Sequence, residues 1–265
     1  MPSGCGFEPM VQYEESRQPI EVGTAMYNLS VIERWIPPAA RKLQSHQAFV
    51  AVTDHHGRDQ GVSILRVQGG PTIVTTSAEL ASQFGLRDSE IITAQQAEHL
   101  VETDGLAYDP QEHIRLLYVP EDRRAGMQEQ ESDSRTRRLT QADEKAFSDL
   151  TKAAPQTDLD EALVELDDWL VYGTFVNESL ASVSSMYILQ DTQIADIGVI
   201  TLSRARRNGL AKATVRAITA DALAQGAEPQ YRCQFDNAAS TFLASAVGFE
   251  LFADWRKLSL VTHCS

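Results

Sequence analysis

The stretch Asp196-Ile-Gly-Val-Ile-Thr-Leu-Ser203, followed by Arg204-Ala-Arg-Arg-Asn-Gly-Leu-Ala-Lys212 and an alanine-rich segment to Ala224, decides the fold of this chain. Apolar residues occupy both alternating faces of its first part, which predicts a strand covered on both sides in a mixed or parallel sheet. The last part predicts a helix whose small side chains allow close packing on the sheet. It carries one stripe of Leu210, Ala213, Ala217, Ala220 and Ala224 and a second of Val215, Ile218 and Ala222.

The basic loop between this strand and this helix has the chemistry of an anion site. The first N–H groups of a helix have no partner within the helix, and the helix dipole favours negative charge at that end. Gly209 lets a phosphate group approach the backbone closely. Cationic donors are supplied by Arg204, Arg206, Arg207 and Lys212. The loop therefore predicts a site for a diphosphate group.

A second motif follows a short predicted strand at residues 230–235. Asn237-Ala-Ala-Ser240 opens a predicted helix that closes at Gly248-Phe249, with Asn237 as a capping residue at its start and Gly248 at its end. Together with the run Arg206-x-x-Gly209-x-Ala211, this order resembles the acetyl-CoA signature of the GNAT superfamily of N-acetyltransferases. The resemblance covers residues 134–255, roughly half of the chain.

The resemblance implies an α/β fold, with a C-terminal GNAT domain whose mixed central sheet is flanked by helices. It also implies acetyl-CoA as co-substrate and no metal. In the family the central strand splays from its neighbour and its exposed backbone holds the pantetheine arm and polarises the thioester. By position, the binding residues are Val199, Ile200, Thr201, Arg206, Arg207, Asn208, Gly209, Leu210, Ala211, Lys212 and Asn237.

The family often places a Glu near the start of the central strand as general base. The matching residue is Asp196, whose shorter side chain favours action through a bridging water; a solvent-facing Asp at a strand end is the alternative. Many members carry a Tyr seven residues after the motif asparagine as general acid, and Ala244 stands there. Water, the ammonium product, Tyr187 or Tyr231 are the alternatives. Cys233 has no evident paired base and is expected to pack in the core.

Composition indicates the class of partner. A net charge of −14 over 265 residues argues against nucleic acid as a ligand, and the basic residues that cluster in one loop suit a small anion. The acidic remainder favours cationic or amine substrates, although a merely soluble surface gives the same composition. A wall for an amine acceptor is predicted at Asp158, Asp160, Glu161, Glu165, Asp167 and Asp168, with a solvated helix face as the alternative.

The remaining sequence features concern the cellular compartment and a possible metal site. The three cysteines have neither metal-ligand spacing nor an even-numbered disulfide framework, which favours a reducing compartment. No apolar run is long enough for a signal peptide or a membrane span, so a cytoplasmic protein without a membrane partner is expected. The turn Asp54-His55-His56-Gly57 suggests a metal site, but adjacent side chains on an extended chain point apart, which favours a solvated turn.

Two domains are predicted. Residues 1–133 read as a smaller α/β domain that opens with a loose polar arm to about residue 25 and ends in a charged linker over 121–138; residues 134–265 form the GNAT domain. The role of the N-terminal part is open: it could shape the substrate site, form a homodimer, or be a degenerate acyltransferase-like half.

The functional prediction is an acetyl-CoA-dependent N-acetyltransferase. It transfers an acetyl group to a primary amine, on a small molecule or a peptide, by direct attack in a ternary complex. A non-catalytic acyl-CoA sensor or interaction module is the alternative, because the usual tyrosine is missing at Ala244. Transfer of a longer acyl group is a third possibility.

Overall fold

One mixed sheet of 11 strands runs through both halves of the chain in a computed structural model that describes residues 20–22, 25–53, 61–102, 105–129 and 133–261. The strands are β1 (Ile20–Val22), β2 (Ala25–Tyr27), β3 (Gln47–Val52), β4 (Gly61–Val67), β5 (Thr72–Thr76), β6 (Ile91–Thr93), β7 (Leu106–Tyr118), β8 (Thr136–Arg138), β9 (Leu170–Val176), β10 (Ser179–Ile188), β11 (Ile194–Thr201), β12 (Glu228–Gln234) and β13 (Glu250–Leu260). The helices are α1 (Leu29–Trp35), α2 (Ala78–Gln83), α3 (Ala94–His99), α4 (Glu121–Glu129), α5 (Glu144–Ala153), α6 (Gln156–Ala162), α7 (Leu210–Ala224) and α8 (Ala238–Val247).

The order of strands across the sheet interleaves the two halves. It reads β6-β3-β5-β4-β13-β7-β12-β11-β10-β9-β8, while β1 and β2 form a separate pair. Strand β7 of the N-terminal half lies between β12 and β13, and β13 lies between β7 and β4. Each half therefore supplies a strand that the other half needs for its pairing.

Alternation along β11 shows how the helices divide between the faces of the sheet. Ile194 belongs to the core beneath α1, and Ile200 belongs to the core beneath α5 and α6. Ile194 and Ile200 are an even number of positions apart, so their side chains lie on the same face of the sheet. Ala195 and Ile197 point to the opposite face, into the core formed with α4, α7 and α8. On the first face, Asp196 and Gly198 lie between the two cores.

Local sequence explains the helix that follows β12. Asn237 Oδ1 accepts a hydrogen bond from Ser240 N at 3.0 Å and caps α8, and Gly248 closes it with a φ of 120°. The positive φ favours glycine, since other residues are strained there. Both predicted caps of this helix are confirmed.

One local prediction was wrong and a second was right only in part. The segment predicted as a linker contains α4, because Met127 is buried against the sheet and ion pairs replace the apolar contacts that the sequence lacks. In α7 the buried residues are Leu210, Thr214, Val215, Ile218, Thr219 and Ala222. The predicted stripe of Val215, Ile218 and Ala222 is therefore confirmed, whereas Ala213, Ala217 and Ala220 of the other stripe line a cavity of about 560 Å³ beside α4. Hydrogen bonds make the burial of Thr214 possible, since its hydroxyl donates to Leu210 O and pairs with Thr174.

Other predictions fall outside what the structure describes or tests. The turn Asp54-His55-His56-Gly57 and residues 1–19 lie outside the described residues. The mixed sheet with flanking helices agrees with the predicted fold class. The division at residue 133 stays a prediction.

Candidate active site

A gap opens in the middle of the sheet, between β11 and β12. The two strands pair in parallel from Ile194–Ile197 to Glu228–Tyr231. Beyond Ile197 and Tyr231 both strands continue without pairing to each other, β11 with β10 and β12 with β7 as neighbours. The splayed central strand that the resemblance implied is therefore present in the described fold.

The direction of the backbone groups selects which residues of β11 face this gap. Gln193 O accepts from Glu228 N on β12, whereas Ile194 O accepts from Leu189 N on the opposite side. Backbone groups alternate along a strand, so Val199 and Thr201 face the gap. Ile200 faces β10 instead, and its carbonyl accepts a hydrogen bond from Ser182 Oγ at 3.2 Å.

The loop after β11 has an unusual backbone at its tip. A short 3₁₀ turn at Ser203–Ala205 leads into exposed residues at 206–209. Arg207 and Gly209 have φ angles of 64° and 75°, in the left-handed region. A Cβ on Gly209 would meet no atom within 4 Å, so the space in front of this glycine is open to a ligand.

The N-terminus of α7 follows directly and presents unpaired backbone donors. Gly209 is the N-cap residue and provides no side-chain hydrogen bond. The first backbone bond of the helix runs from Ala213 N to Gly209 O at 3.0 Å, leaving the N–H groups of Leu210, Ala211 and Lys212 ahead of it. Backbone donors of this kind, with the positive end of the helix dipole, fit a diphosphate group.

Arg206 fastens the loop on both sides. Its Nε donates to Thr201 O at 3.1 Å, and its Nη2 donates to Asp158 Oδ2 in α6. Asn208 Nδ2 lies 3.3 Å from Ala205 O and 3.2 Å from Arg206 O. These contacts hold the loop beside the end of β11, so the predicted binding residues of the loop and Val199 and Thr201 of the strand are brought together.

Asp196, the predicted base, lies at the closed end of the gap. It is 5% exposed, and both carboxylate oxygens accept hydrogen bonds from Arg232, with Nε 2.9 Å from each. Gln230 Nε2 donates to Oδ1 at 2.8 Å, and Tyr187 Oη donates to Oδ2 at 3.1 Å. The carboxylate is thus held by an ion pair and two neutral donors, and it is not the solvent-facing strand end that was the alternative.

The two titratable partners of this carboxylate, Arg232 and Tyr187, keep their protons. Burial alone lowers the pKa of Arg232, but Asp196 more than offsets this and the pKa of the guanidinium is raised overall. Burial, followed by the charge of Asp196, raises the pKa of Tyr187. Both groups therefore act as hydrogen-bond donors at neutral pH.

The residues considered for the general acid lie on different faces. Ala244 is fully buried on the inner side of α8, in the same core as Tyr231, whose pKa burial raises to about 12. Tyr187 is on the opposite face with Asp196. Cys233 is buried with Sγ 3.6 Å from Thr241 Oγ1, and burial raises the pKa of its thiol, as expected for a packing role.

The segment after α6 covers the first face of β11 beside Asp196. A Cβ on Gly198 would lie 2.0 Å from Ala162 O, so only glycine allows this close crossing. Asp168 contacts Ser185 on β10, and burial raises the pKa of its carboxyl. Asp158 is paired with Arg206 and Asp160 accepts from Gln156, so part of the predicted acidic wall is engaged in local contacts.

The structure shows a capping contact of the predicted residue Asn237 and two partners of Asp196 that were not predicted. The side chain of Asn237 caps α8, and its place as a binding residue stays a prediction. The sequence reading missed Gln230 and Arg232. Their signal was two polar residues alternating with Tyr231 and Cys233 in an otherwise buried strand, which places both on the face of Asp196.

Residues 118–258 match the family model of the GNAT acetyltransferases. The chain belongs to the GNAT acetyltransferase family. The match begins before the predicted start of the domain at residue 134 and includes Tyr118 and α4. Membership of this family implies use of acyl-CoA and an amine acceptor.

Solved structures of GNAT-family acetyltransferases resemble this fold at low sequence identity. One from Novosphingobium aromaticivorans is 18% identical with a TM-score of 0.44, over 60% of this chain and 69% of that chain. One from Colwellia psychrerythraea is 18% identical with a TM-score of 0.47, over 63% and 61%. One from Kribbella flavida is 20% identical with a TM-score of 0.43, over 64% and 65%. No curated protein gives a significant match.

Neither a membrane-spanning helix nor a metal-binding cluster is present among the described residues. None of their helices has the length and apolarity needed to cross a membrane. In the same residues, no three His, Cys, Asp or Glu side chains converge as ligands of a metal ion would. The absence of a metal from the reaction stays a prediction.

Proposed function

We propose that the protein is an N-acetyltransferase that transfers an acetyl group from acetyl-CoA to a primary amine by direct attack within a ternary complex. The observation that carries the proposal is the junction of two features, the gap between β11 and β12 and the uncapped N-terminus of α7, which Arg206 joins through its bond to Thr201 O. A strand edge and an anion site at one place suit a long molecule with a diphosphate at one end.

The diphosphate would be held by the loop and the first turn of α7, residues Arg206, Arg207, Asn208, Gly209, Leu210, Ala211 and Lys212. The backbone of Val199 and Thr201 would hold the pantetheine arm, and the Val199 N–H is the proposed donor to the developing oxyanion. Acetyl-CoA supplies the acetyl group as a thioester. Ile200 contributes through its buried side chain rather than its backbone.

An amine must lose a proton for acyl transfer, and Asp196 is the proposed acceptor of that proton. Because Arg232, Gln230 and Tyr187 already donate to its oxygens, transfer through a bridging water fits better than direct contact with the amine. For the leaving thiolate, the proposed proton source is either the positively charged nitrogen of the tetrahedral intermediate, which becomes the neutral amide nitrogen of the product, or Tyr231, which shares its core with Ala244.

The acceptor is proposed to be cationic at neutral pH, a small-molecule or peptide amine, in keeping with the net charge of −14. Nucleic acid is not a proposed partner, and the cytoplasm is the proposed compartment. Assembly of a homodimer through the N-terminal half stays a prediction.

The first experiment is a calorimetric titration of the purified protein with acetyl-CoA. Gly209→Glu places bulk and negative charge in the open space before the loop and is expected to abolish micromolar binding. Gly226→Glu is the matched control, because Gly226 has a φ of 79° against 75° and equally open surroundings, at the other end of α7. No binding by the wild type, or equal loss in both variants, would refute the proposed cofactor site.

A non-catalytic acyl-CoA sensor is the second candidate, favoured by Ala244 in place of the usual tyrosine. Release of CoA over a broad panel of amines separates the two. In the enzyme, Asp196→Ala keeps acetyl-CoA affinity and loses amine-dependent release of CoA. Acetyl-CoA binding without turnover of any amine by the wild type would support the sensor.

A further inference from the structure

A chain of hydrogen bonds runs from the N-terminal half to Asp196. Trp35 in α1 donates its Nε1 to Tyr118 Oη at 2.6 Å. Tyr118, the last residue of β7, donates in turn to Gln230 Oε1. Gln230 Nε2 then donates to Asp196 Oδ1 at 2.8 Å. Four residues from four elements, α1, β7, β12 and β11, are linked in one line.

The Asp196 carboxylate, at one end of this chain of hydrogen bonds, fixes the direction of every bond in it. A carboxylate only accepts hydrogen bonds, so the amide nitrogen of Gln230 must face Asp196 and its oxygen must face Tyr118. The Tyr118 hydroxyl must therefore donate to Gln230, which leaves its oxygen to accept from Trp35. Burial raises the pKa of Tyr118, so its hydroxyl remains a donor.

Burial makes the chain costly to break. Tyr118 and Gln230 are each 1% exposed. A buried donor or acceptor without its partner loses far more than an exposed one, because water cannot replace the lost bond. The amide of Gln230 therefore has one favourable orientation, and this orientation presents its N–H to the carboxylate beside the gap.

We propose that Trp35 and Tyr118 are positioning residues of the acetyltransferase site, which act through Gln230 to fix the Asp196 carboxylate against Arg232. The N-terminal half then contributes to the site in two ways. It supplies β7 to the sheet, and it supplies Trp35 and Tyr118 to the chain of hydrogen bonds. The inference rests on the proposed function, because its effect is read through turnover of an amine.

Tyr118→Phe removes one hydroxyl and keeps the ring, which contacts Phe252 edge to face at 5.4 Å. Tyr27→Phe is the matched control. Tyr27 lies in the same core, is 2% exposed and contacts Phe252 edge to face at 5.3 Å, but its hydroxyl is outside the chain of hydrogen bonds. The two variants therefore differ in the connection to Gln230.

For each variant, kcat and KM for the amine, the Kd of acetyl-CoA and the melting temperature are measured. Tyr118→Phe is expected to lower kcat about 10-fold, as loss of one buried hydrogen bond allows, with the Kd of acetyl-CoA within about twofold of wild type. Trp35→Phe should act in the same direction. Tyr27→Phe should leave kcat within about twofold.

Three results would overturn the inference. Equal kcat in Tyr118→Phe and Tyr27→Phe would show that the hydroxyl has no part in the site. A parallel fall of kcat, acetyl-CoA affinity and melting temperature would assign Tyr118 to packing alone. Absence of wild-type turnover with any amine would refute the proposed function itself, and this inference with it, whereas the first two results leave that function standing.

Discussion

Arg124 in α4 and Glu228 at the start of β12 form a buried two-pronged ion pair, with Nη1 2.9 Å from Oε1 and Nη2 2.5 Å from Oε2. Only 5% of the Glu228 side chain is exposed, and burial raises the pKa of its carboxyl despite the guanidinium. This pair fastens a helix of low hydrophobicity to the strand that borders the gap.

Arg124→Met is expected to destabilise the fold by roughly 3 kcal/mol, because it leaves a buried carboxylate without its partner. Urea denaturation followed by circular dichroism measures the change. Arg123→Met is the control, since the neighbouring pair of Arg123 with Glu250 is far more exposed and its loss should cost less than about 1 kcal/mol. Equal effects in the two variants would contradict the assigned importance of burial.

Gly198→Ala is expected to disturb the crossing of α6 over the central strand. The added Cβ would lie 2.0 Å from Ala162 O, so the segment must move away from β11, at a cost of about 1 to 3 kcal/mol. Thermal unfolding gives the loss, and the KM of the amine should rise. Gly126→Ala in α4, with no atom within 4 Å of its Cβ, should be neutral or stabilising. An unchanged melting temperature in Gly198→Ala would refute the close contact.

Asp158→Asn tests whether the acidic helix competes for Arg206. Removing a carboxylate that pairs with Arg206 leaves the guanidinium free for the diphosphate, so acetyl-CoA binding should tighten by about 2- to 3-fold at low salt. Arg206→Ala should weaken it by about 10-fold. Both affinities come from calorimetry at two salt concentrations. Weaker binding in Asp158→Asn would mean that the pair shapes the loop instead of competing with the ligand.

Asp168→Asn should raise the melting temperature at neutral pH. Burial raises the pKa of Asp168 above its ordinary value of 3.8, so the folded state binds this proton more tightly than the unfolded state. Such a group adds stability below pH 3.8 and loses it as the pH rises through the folded-state pKa. The gain in Asp168→Asn should therefore be present at pH 7 and vanish below pH 3.8.

Asp149→Asn is expected to change the melting temperature at pH 7 in the opposite direction. Lys145 lowers the pKa of Asp149 from 3.8, so its ionised form stabilises the folded state above that pH. The substitution should lower the melting temperature slightly at pH 7 and have no effect in acid. A pH scan of unfolding for both variants checks the pair of directions, and a loss of stability in Asp168→Asn at pH 7 would contradict the burial of that carboxyl.

Local signals predicted the family and the loop correctly. The helix start after Gly209 and the caps at Asn237 and Gly248 are each determined by residues within a few positions. The family match confirms the interpretation of these motifs.

Long-range relations could not be predicted from the sequence. Gln230 meets Asp196 only because β12 pairs with β11 in one register, and Tyr118 joins them only because β7 lies beside β12. Strand β13 was not expected at all, although it contacts both halves. Helix α4 escaped prediction because Arg124 and Glu228, distant in sequence, replace the apolar stripe that normally marks a helix.

The interleaved strand order has a consequence for biosynthesis. Strands β4 and β7 emerge from the ribosome long before β13, yet each pairs with it in the finished sheet. Until β13 is made, both present open edges that can pair with other chains. Nascent chains that stall before residue 250 should therefore be prone to aggregate.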